Sequence, residues 1–299
     1  MGISQYIKII GRGRDGARAL TREQAADLMG QVLDDEVSDL EIGAFCLAMR
    51  IKGETPEEMA GFLDATRARL RPIDTVRSSS TVVLPSYNGA RRLPILTPLL
   101  AHLLAREGLS VIIHGTPTES GRVTSQDVLR SMGSDIFSGV DAVKPGEVVF
   151  VPTEALCPGL KRLLQVRQAI GLRNSAHSLV KLMNVCSSNA LLVSSYTHPE
   201  YAASMAKTLE LTGSHAVLLR GTEGEAVADA RRMPQIDAFV NGLRSCLVAP
   251  QTGPLTEIPQ IPTQIDALST AQYTHAVLSR ELPIPQPIAR QVQAIVQII

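Results

Sequence analysis

Seven residues, Ser86-Tyr87-Asn88-Gly89-Ala90-Arg91-Arg92, form a turn between the apolar run Val82-Val83-Leu84 and a stretch with leucines at helical spacing (Leu96, Leu99, Leu100, Leu103, Leu104). A loop that leaves a strand and enters a helix is where backbone N–H groups and a helix N-terminus meet an anion. Phosphate cradles of this kind use several glycines so that the backbone can close on the ligand. Here a single glycine, Gly89, stands beside two guanidinium groups, Arg91 and Arg92. The chemistry on offer is phosphate pairing through arginine, with Asn88 as a further polar contact. Tyr87 is the one aromatic placed beside the basic loop to stack on a base.

A second basic group comprises Lys161, Arg162, Arg167, Arg173 and Lys181, with no acid anywhere between the first and the last. In a chain that is neutral overall, this spacing predicts a cationic stripe suited to a phosphate backbone. His177, between Ser175 and Ser178, reads either as a phosphate contact or as a helix cap. Arg12, Arg14 and Arg18 form a looser group, and Arg231-Arg232 reads as solvated surface. His114, at a strand end beside Gly115, reads as a structural residue; no Ser-His-Asp arrangement follows from spacing, and no residue is assigned a catalytic role.

The elements that must position these groups fall into two kinds. Residues 20–70 read as helices. Thr21 with Gln24 is a capping-box pattern, Ser38 precedes Asp39 and Glu41, and Thr55-Pro56-Glu57-Glu58 combines an N-cap, a proline at the first helical position and acids favoured by the dipole. From Thr81 onward, short β-branched runs at 82–84, 109–113, 148–151, 190–194 and 216–219 alternate with helical segments, the mark of a mainly parallel sheet covered by helices. Two further helices over 158–184 interrupt that alternation and are expected to pack back on the first ones. The expected fold class is therefore α/β: a small N-terminal all-helical domain plus a larger, mainly parallel sheet domain. The expected division is 1–76 with about 158–185 for the helical dimerisation domain, and 77–157 with 186–299 for the α/β domain.

Composition narrows the function classes. Aromatics are 3 % of residues and Trp is absent, so recognition through many stacked bases would have few platforms, at most the five Tyr and five Phe. Basic and acidic residues number 29 each, so only clustering can create a polyanion site. The four cysteines, Cys46, Cys157, Cys186 and Cys246, lack metal-ligand spacing, and neither a signal-peptide core nor an apolar run of membrane-spanning length is present. No metal and no cofactor are expected, and the chain is expected to be cytoplasmic with no membrane partner.

The order of blocks resembles the anthranilate phosphoribosyltransferase and pyrimidine nucleoside phosphorylase superfamily, of the glycosyltransferase family 3 type. The N-terminal stretch from Leu20 to Ala65, the strand ending His114-Gly115, Ser125-Gln126-Asp127-Val128-Leu129 and the segment from Val166 to Arg173 carry the resemblance. It implies a cleft to which Ser86, Gly89, His114, Gly115, Ser125 and Asp127 contribute, here as vestiges. The enzymes of that superfamily surround pyrophosphate with a glycine-rich loop, where this chain has Pro85 to Ala90. A lysine before their His-Gly is Ile113 here, and their magnesium-binding Asp-Glu pair falls on Ala226-Val227. Expelling pyrophosphate needs backbone donors and Mg²⁺ to stabilise the leaving group, so these losses remove the dominant electrostatic contribution. Glu223 and Glu225 are the only acids left nearby that could take a metal in an altered register.

The runs Ser-Tyr-Asn-Gly-Ala-Arg-Arg, Asn-Ser-x-His-Ser and Arg-Gly-Thr-Glu-Gly-Glu are similar to one branch, the YbiB-type proteins; Ile95, where the superfamily usually shows Asn, is a departure. That branch implies a homodimer joined through the helical domain and sequence-independent binding of single- or double-stranded nucleic acid. The expected contacts are Tyr87, Asn88, Arg91, Arg92, Lys161, Arg162, Arg167, Arg173, His177 and Lys181. The alternatives are a transferase with a remodelled donor site, or a regulatory module binding a small phosphorylated metabolite.

Overall fold

The computed structural model describes residues 2–75, 80–134, 142–187, 190–255 and 258–299, apart from the side chain of Arg14. The expected domain boundary at 76/77 lies outside the described residues. The chain opens with α1 (Ser4–Ile10), α2 (Gly13–Gly16), α3 (Arg22–Leu33), α4 (Asp39–Lys52) and α5 (Pro56–Arg69). Thr21, Ser38 and Thr55 each accept a hydrogen bond from the third residue of the helix they start, and Gln24, Glu41 and Glu58 answer to the cap backbone. Glu58 is fully buried because it does more than cap: it also accepts from the Leu20 N–H at 2.9 Å and pairs with Lys52 at 2.6 Å. That one carboxylate thereby ties the entry to α3, the end of α4 and the start of α5 together.

The sheet follows as β1 (Thr81–Pro85), α6 (Thr97–Arg106), β2 (Ser110–Gly115), α7 (Ser125–Ser131) and β3 (Val148–Pro152). After α8 (Thr153–Leu156), α9 (Pro158–Ile170) and α10 (Ala176–Leu179) it resumes with β4 (Leu191–Tyr196), α11 (Pro199–Leu211) and β5 (Ala216–Arg220). It closes with β6 (Ile236–Val240) and β7 (Leu243–Val248), then α12 (Ala267–Leu278) and α13 (Gln286–Ile298). The order across the sheet is β3-β2-β1-β4-β5-β6-β7, parallel through β5 and antiparallel beyond. All five expected strand runs are strands; the β6–β7 hairpin was not among them. Its turn, Asn241-Gly242, has positive φ at both residues (52° and 77°), the conformation that matches the twist of paired strands.

Side-chain alternation sorts the strands onto two cores. Val83, Ile112, Leu192 and Leu218 face the helical layer with Leu28, Phe45, Phe62 and Leu160. Val82, Leu84, Val111, Ile113, Val193 and Val217 face α6 and α13 on the other side. Helix α9 lies against α3 and α4, and α11 against α5. The order of strands reverses between β1 and β4: the chain leaves β1 toward β2 and leaves β4 toward β5. In an open α/β sheet the crevice for ligands opens beyond the strand C-termini at such a point, and the loop holding Ser86–Arg92 emerges there.

Close packing of the helical layer depends on Gly61 in α5. A Cβ at this position would overlap the Arg22 carbonyl oxygen and lie 2.9 Å from the Ala25 Cβ. Helix propensity favours alanine by about 0.5–1 kcal/mol, whereas overpacking costs about 1–3 kcal/mol. Gly61→Ala is therefore expected to destabilise the protein by roughly 1–2 kcal/mol net, read as a lower urea midpoint.

Candidate functional site: the loop after β1 and the cleft beside it

The loop after β1 is filled from within. Glu225 Oε1 accepts the backbone N–H groups of Asn88 (2.7 Å) and Gly89 (2.9 Å), while its Oε2 accepts weakly from the Thr97 hydroxyl at 3.4 Å. Glu223 Oε1 accepts the N–H groups of Arg92 (2.8 Å) and Leu93 (3.2 Å). Glu225 is 1 % exposed. Both acids come from the turn after β5, which is fastened at three further points. The Asn88 side-chain amide donates to the Glu223 carbonyl at 2.7 Å, and Lys181 Nζ (2.8 Å) and Ser195 Oγ (2.9 Å) donate to the Gly224 carbonyl. Burial pulls the Lys181 ammonium down to about 8; Glu225 works against that shift and Arg173 with it.

Beneath the loop, the residues expected to line a vestigial cleft are packed against one another. Tyr87 is 5 % exposed, and its hydroxyl bonds His114 Nδ1 at 2.8 Å and Thr153 Oγ1 at 2.9 Å. It cannot stack on a base: the expectation for Tyr87 is corrected, because the side chain is buried in the core and its hydroxyl is held by His114 and Thr153. Asn88 is likewise committed to the turn by both its backbone and its side chain and offers no phosphate contact. Ser86 Oγ donates to Ser125 Oγ at 2.8 Å. Asp127 caps α7 by accepting from the Thr124 N–H and hydroxyl at 2.9 and 2.7 Å. A Cβ on Gly115 would overlap the Ser86 carbonyl oxygen, which explains glycine at that strand end. Arg91 and Arg92 are exposed, and neither guanidinium has a partner among the described residues.

The segment 161–181 does not form the expected unbroken stripe. It holds no acid in sequence, but acids from elsewhere meet it in space. Lys161 pairs with Glu154 at 2.6 Å, and Arg162 pairs with Asp35 and, at 2.9 Å, with Asp39. Both cations are thereby paired with acids from outside the segment. Arg167, Arg173, His177 and Lys181 are brought together. Arg167 Nη2 reaches Glu119 at 2.9 Å, and the same carboxylate meets Arg122 at 3.0 Å. Arg173 is half-buried with no partner among the described residues; burial first, then Arg167 and Arg122, lower its affinity for a proton. Its pocket, about 330 Å³, also takes in Arg50, Lys181, His198, Tyr196 and Tyr201. The one acid on its wall, Glu54, accepts from Ser175 Oγ at 2.5 Å. Arg167 Nη1 and His177 Nε2 are buried without a partner among the described residues. Sequence reading missed Arg50, Arg122 and Glu119; only Arg122, just ahead of the Thr124 cap, carried a local signal. No group of three or more His, Cys, Asp or Glu with metal-holding geometry occurs among the described residues. Glu223 and Glu225, the remaining metal candidates, are both turned onto backbone donors.

With this geometry in hand, the comparisons are specific. Residues 4–70 match the helical bundle domain of the glycosyl transferase family. YbiB of Escherichia coli (strain K12) is 38 % identical over 298 residues, covering 97 % of this chain and 92 % of that protein. The chain belongs to the YbiB family. Anthranilate phosphoribosyltransferase of Anaeromyxobacter sp. (strain Fw109-5) is a more distant relative of this YbiB family member, at 27 % identity over 70 % of the chain and 63 % of the enzyme. The crystal structure of the same enzyme, TrpD, from Thermus thermophilus superposes with a TM-score of 0.72 at 23 % identity, over 96 % of this chain and 85 % of that one. The Saccharomyces cerevisiae enzyme in complex with PRPP and Mg gives 0.71 at 14 % identity, over 99 % and 88 %. These likenesses establish the YbiB-family chain as having the anthranilate phosphoribosyltransferase fold. No described helix is long and apolar enough to cross a membrane.

The buried histidines set a pH dependence. Burial pushes His114 down to about 3, and burial with the charge of Arg173 takes His177 down to about 3. In the unfolded chain both protonate near 6.5. Between those limits the unfolded state binds more protons, so stability falls as pH drops. The urea midpoint should decline from pH 6.5 downward, and His114→Asn should make that decline shallower by about one proton.

Proposed function

We propose that this protein is a non-catalytic, sequence-independent binder of nucleic acid whose phosphate backbone lies along the cationic cleft. The observation that carries the reading is the partnerless Arg173, half-buried among Arg167, Arg122 and Lys181, with one acid, Glu119, shared by two of those cations. Unpaired buried charge is costly unless a counter-ion arrives. The unsatisfied Arg167 Nη1 and His177 Nε2 add donor capacity that a phosphate oxygen would meet, provided His177 carries its proton on Nε2. Arg91 and Arg92, exposed on the loop after β1, are further cations open to phosphate. Burial of Tyr87 removes the stacking platform, so phosphate contact dominates and base identity counts for little.

The transferase reading is weaker, because the loop that would hold pyrophosphate has its backbone donors committed to Glu223 and Glu225, and the magnesium acids are replaced by Ala226 and Val227. A small anionic metabolite is the second reading, favoured by the size of the 330 Å³ pocket around Arg173. Oligonucleotide length separates the two: a groove gains affinity as the strand lengthens, whereas a small pocket does not.

We also propose a homodimer joined through α4. Leu40, Leu47 and Ile51 are 84, 48 and 67 % exposed and lie on one stripe of that helix. Pairing two copies would join two clefts and raise affinity for a long strand by avidity.

Two measurements check these readings. Titration of single-stranded DNA should show affinity falling steeply with salt, and Arg173→Ala should weaken binding about tenfold and lower the salt slope by about one. Lys161→Ala should leave both unchanged. Salt-independent binding, or none at low salt, rejects the nucleic-acid reading. In sedimentation, Leu47→Glu with Ile51→Glu should halve the mass; an unchanged mass rejects α4 as the interface.

A further inference from the structure

We propose that the groove between α13 and the chain leaving β7 docks an extended peptide of a partner protein, held by its main chain and by one acidic side chain. The groove has a volume of about 910 Å³ and shares no lining residue with the pocket around Arg173. Its floor is apolar: Ala230, Met233 and Ala294 are buried members of the second core, and Leu247 packs against that core. It therefore lies on the face of the sheet away from the helical layer.

One wall is α13, which lines the groove with Gln286, Arg290, Gln293 and Gln297. Steps of four, three and four residues put these on one stripe of the helix, about 17 Å long at 1.5 Å per residue. All four are exposed, and none of their side chains has a partner among the described residues. A primary amide carries a donor and an acceptor together, as a peptide unit does. An extended chain turns a peptide group to the same side every two residues, about 6.6 Å, close to the roughly 6 Å of an i,i+4 step on the helix. The stripe thus meets a main chain at successive peptide groups over about five residues. The side chains of such a peptide alternate, so every second one is apolar and points to the floor. Met233 there can adjust to different shapes.

Charge completes the description of the ligand. No acid among the described residues lines the groove. Arg231 is already paired with Asp229, and Arg232 is spent on the carbonyls of Gln251 and Gly253, where it holds the opposite wall. Arg290 is left in the middle of the stripe and calls for one carboxylate. A phosphate backbone fits poorly, because it needs a run of cations and meets one arginine among amides. Pro250, Pro283, Pro285 and Pro287 fix φ along the rim, so little chain entropy is lost when the groove fills.

The inference does not depend on the nucleic-acid reading, and a peptide tests it directly. Fluorescein-labelled Ser-Val-Glu-Val-Ser-Val-Ser, amidated at its C-terminus, is titrated with the full chain and followed by anisotropy. Saturable binding below millimolar protein is expected, unchanged in Arg173→Ala. Gln293→Ala with Gln297→Ala should weaken it about tenfold, as should methylation of the peptide nitrogens. Arg290→Glu should weaken it at least about tenfold and should restore binding to the peptide with Lys in place of Glu. The substituted α13 side chains are exposed, so urea midpoints should match that of the unmodified protein. Absence of saturable binding, loss of binding in Arg173→Ala, or binding indifferent to N-methylation and to Arg290→Glu overturns the inference.

Discussion

The buried carboxylate of Glu225, received by two backbone N–H groups of the β1 loop, is the contact on which the rest of the site depends. A loop with one glycine cannot leave Asn88 and Gly89 N–H groups buried and unpaired without a penalty of about 1–3 kcal/mol each. An acid that is 1 % exposed needs donors just as much. Each solves the problem of the other. The solution fixes where the turn after β5 must lie, and that position places the Gly224 carbonyl against Lys181 and Ser195. It also turns Asn88 away from solvent and leaves Arg91 and Arg92 outside, free of the loop their backbone builds.

The cleft next door follows from a different shortage. Helices α9 and α10 bring Arg167, Arg173, His177 and Lys181 to the C-terminal side of the sheet, while the β2–α7 connection supplies Arg122 and Glu119. One carboxylate serves two arginines there, and Glu54 is spent on Ser175. Arg173 is left among like charges in a half-buried pocket. The fold is that of anthranilate phosphoribosyltransferase; here the donors of the loop are satisfied by the protein, and Arg173 in the cleft has no partner among the described residues.

Local signals in the sequence were legible. The three N-terminal helix starts, the five parallel strand runs and the α/β class follow from residues close together in the chain, and they hold at the positions expected; all three starts are capping boxes, of which only the one at Thr21 was read as such. The β6–β7 hairpin was equally local, since Asn241-Gly242 flanked by apolar residues is a strong turn signal; it was missed because Leu243 to Cys246 are exposed and do not read as core. Partners distant in sequence were not legible. The 161–181 segment looked acid-free because Asp35, Asp39, Glu119 and Glu154 lie outside it. Tyr87 looked available because nothing nearby in the chain shows that His114 and Thr153 wait for its hydroxyl. Glu223 and Glu225 read as displaced metal acids, since their amide partners lie about 130 residues earlier.

The equality of 29 basic and 29 acidic residues acquires a meaning from this arrangement. Glu223 and Glu225 are among the acids matched to amide dipoles instead of to side-chain cations, so equal numbers do not produce an evenly neutral surface. The formal net charge is zero, yet Arg173 stands beside Arg167 and Arg122 with no carboxylate of its own among the described residues. A polyanion more than a Debye length away, about 8 Å at physiological salt, feels almost nothing. Within that distance a net-neutral molecule is turned rather than pulled, and under the proposed function the cleft would be the face it presents. Under the proposed function, encounter would be selected by orientation at close range, and the lifetime of the contact, more than the rate of approach, would decide whether a strand is held.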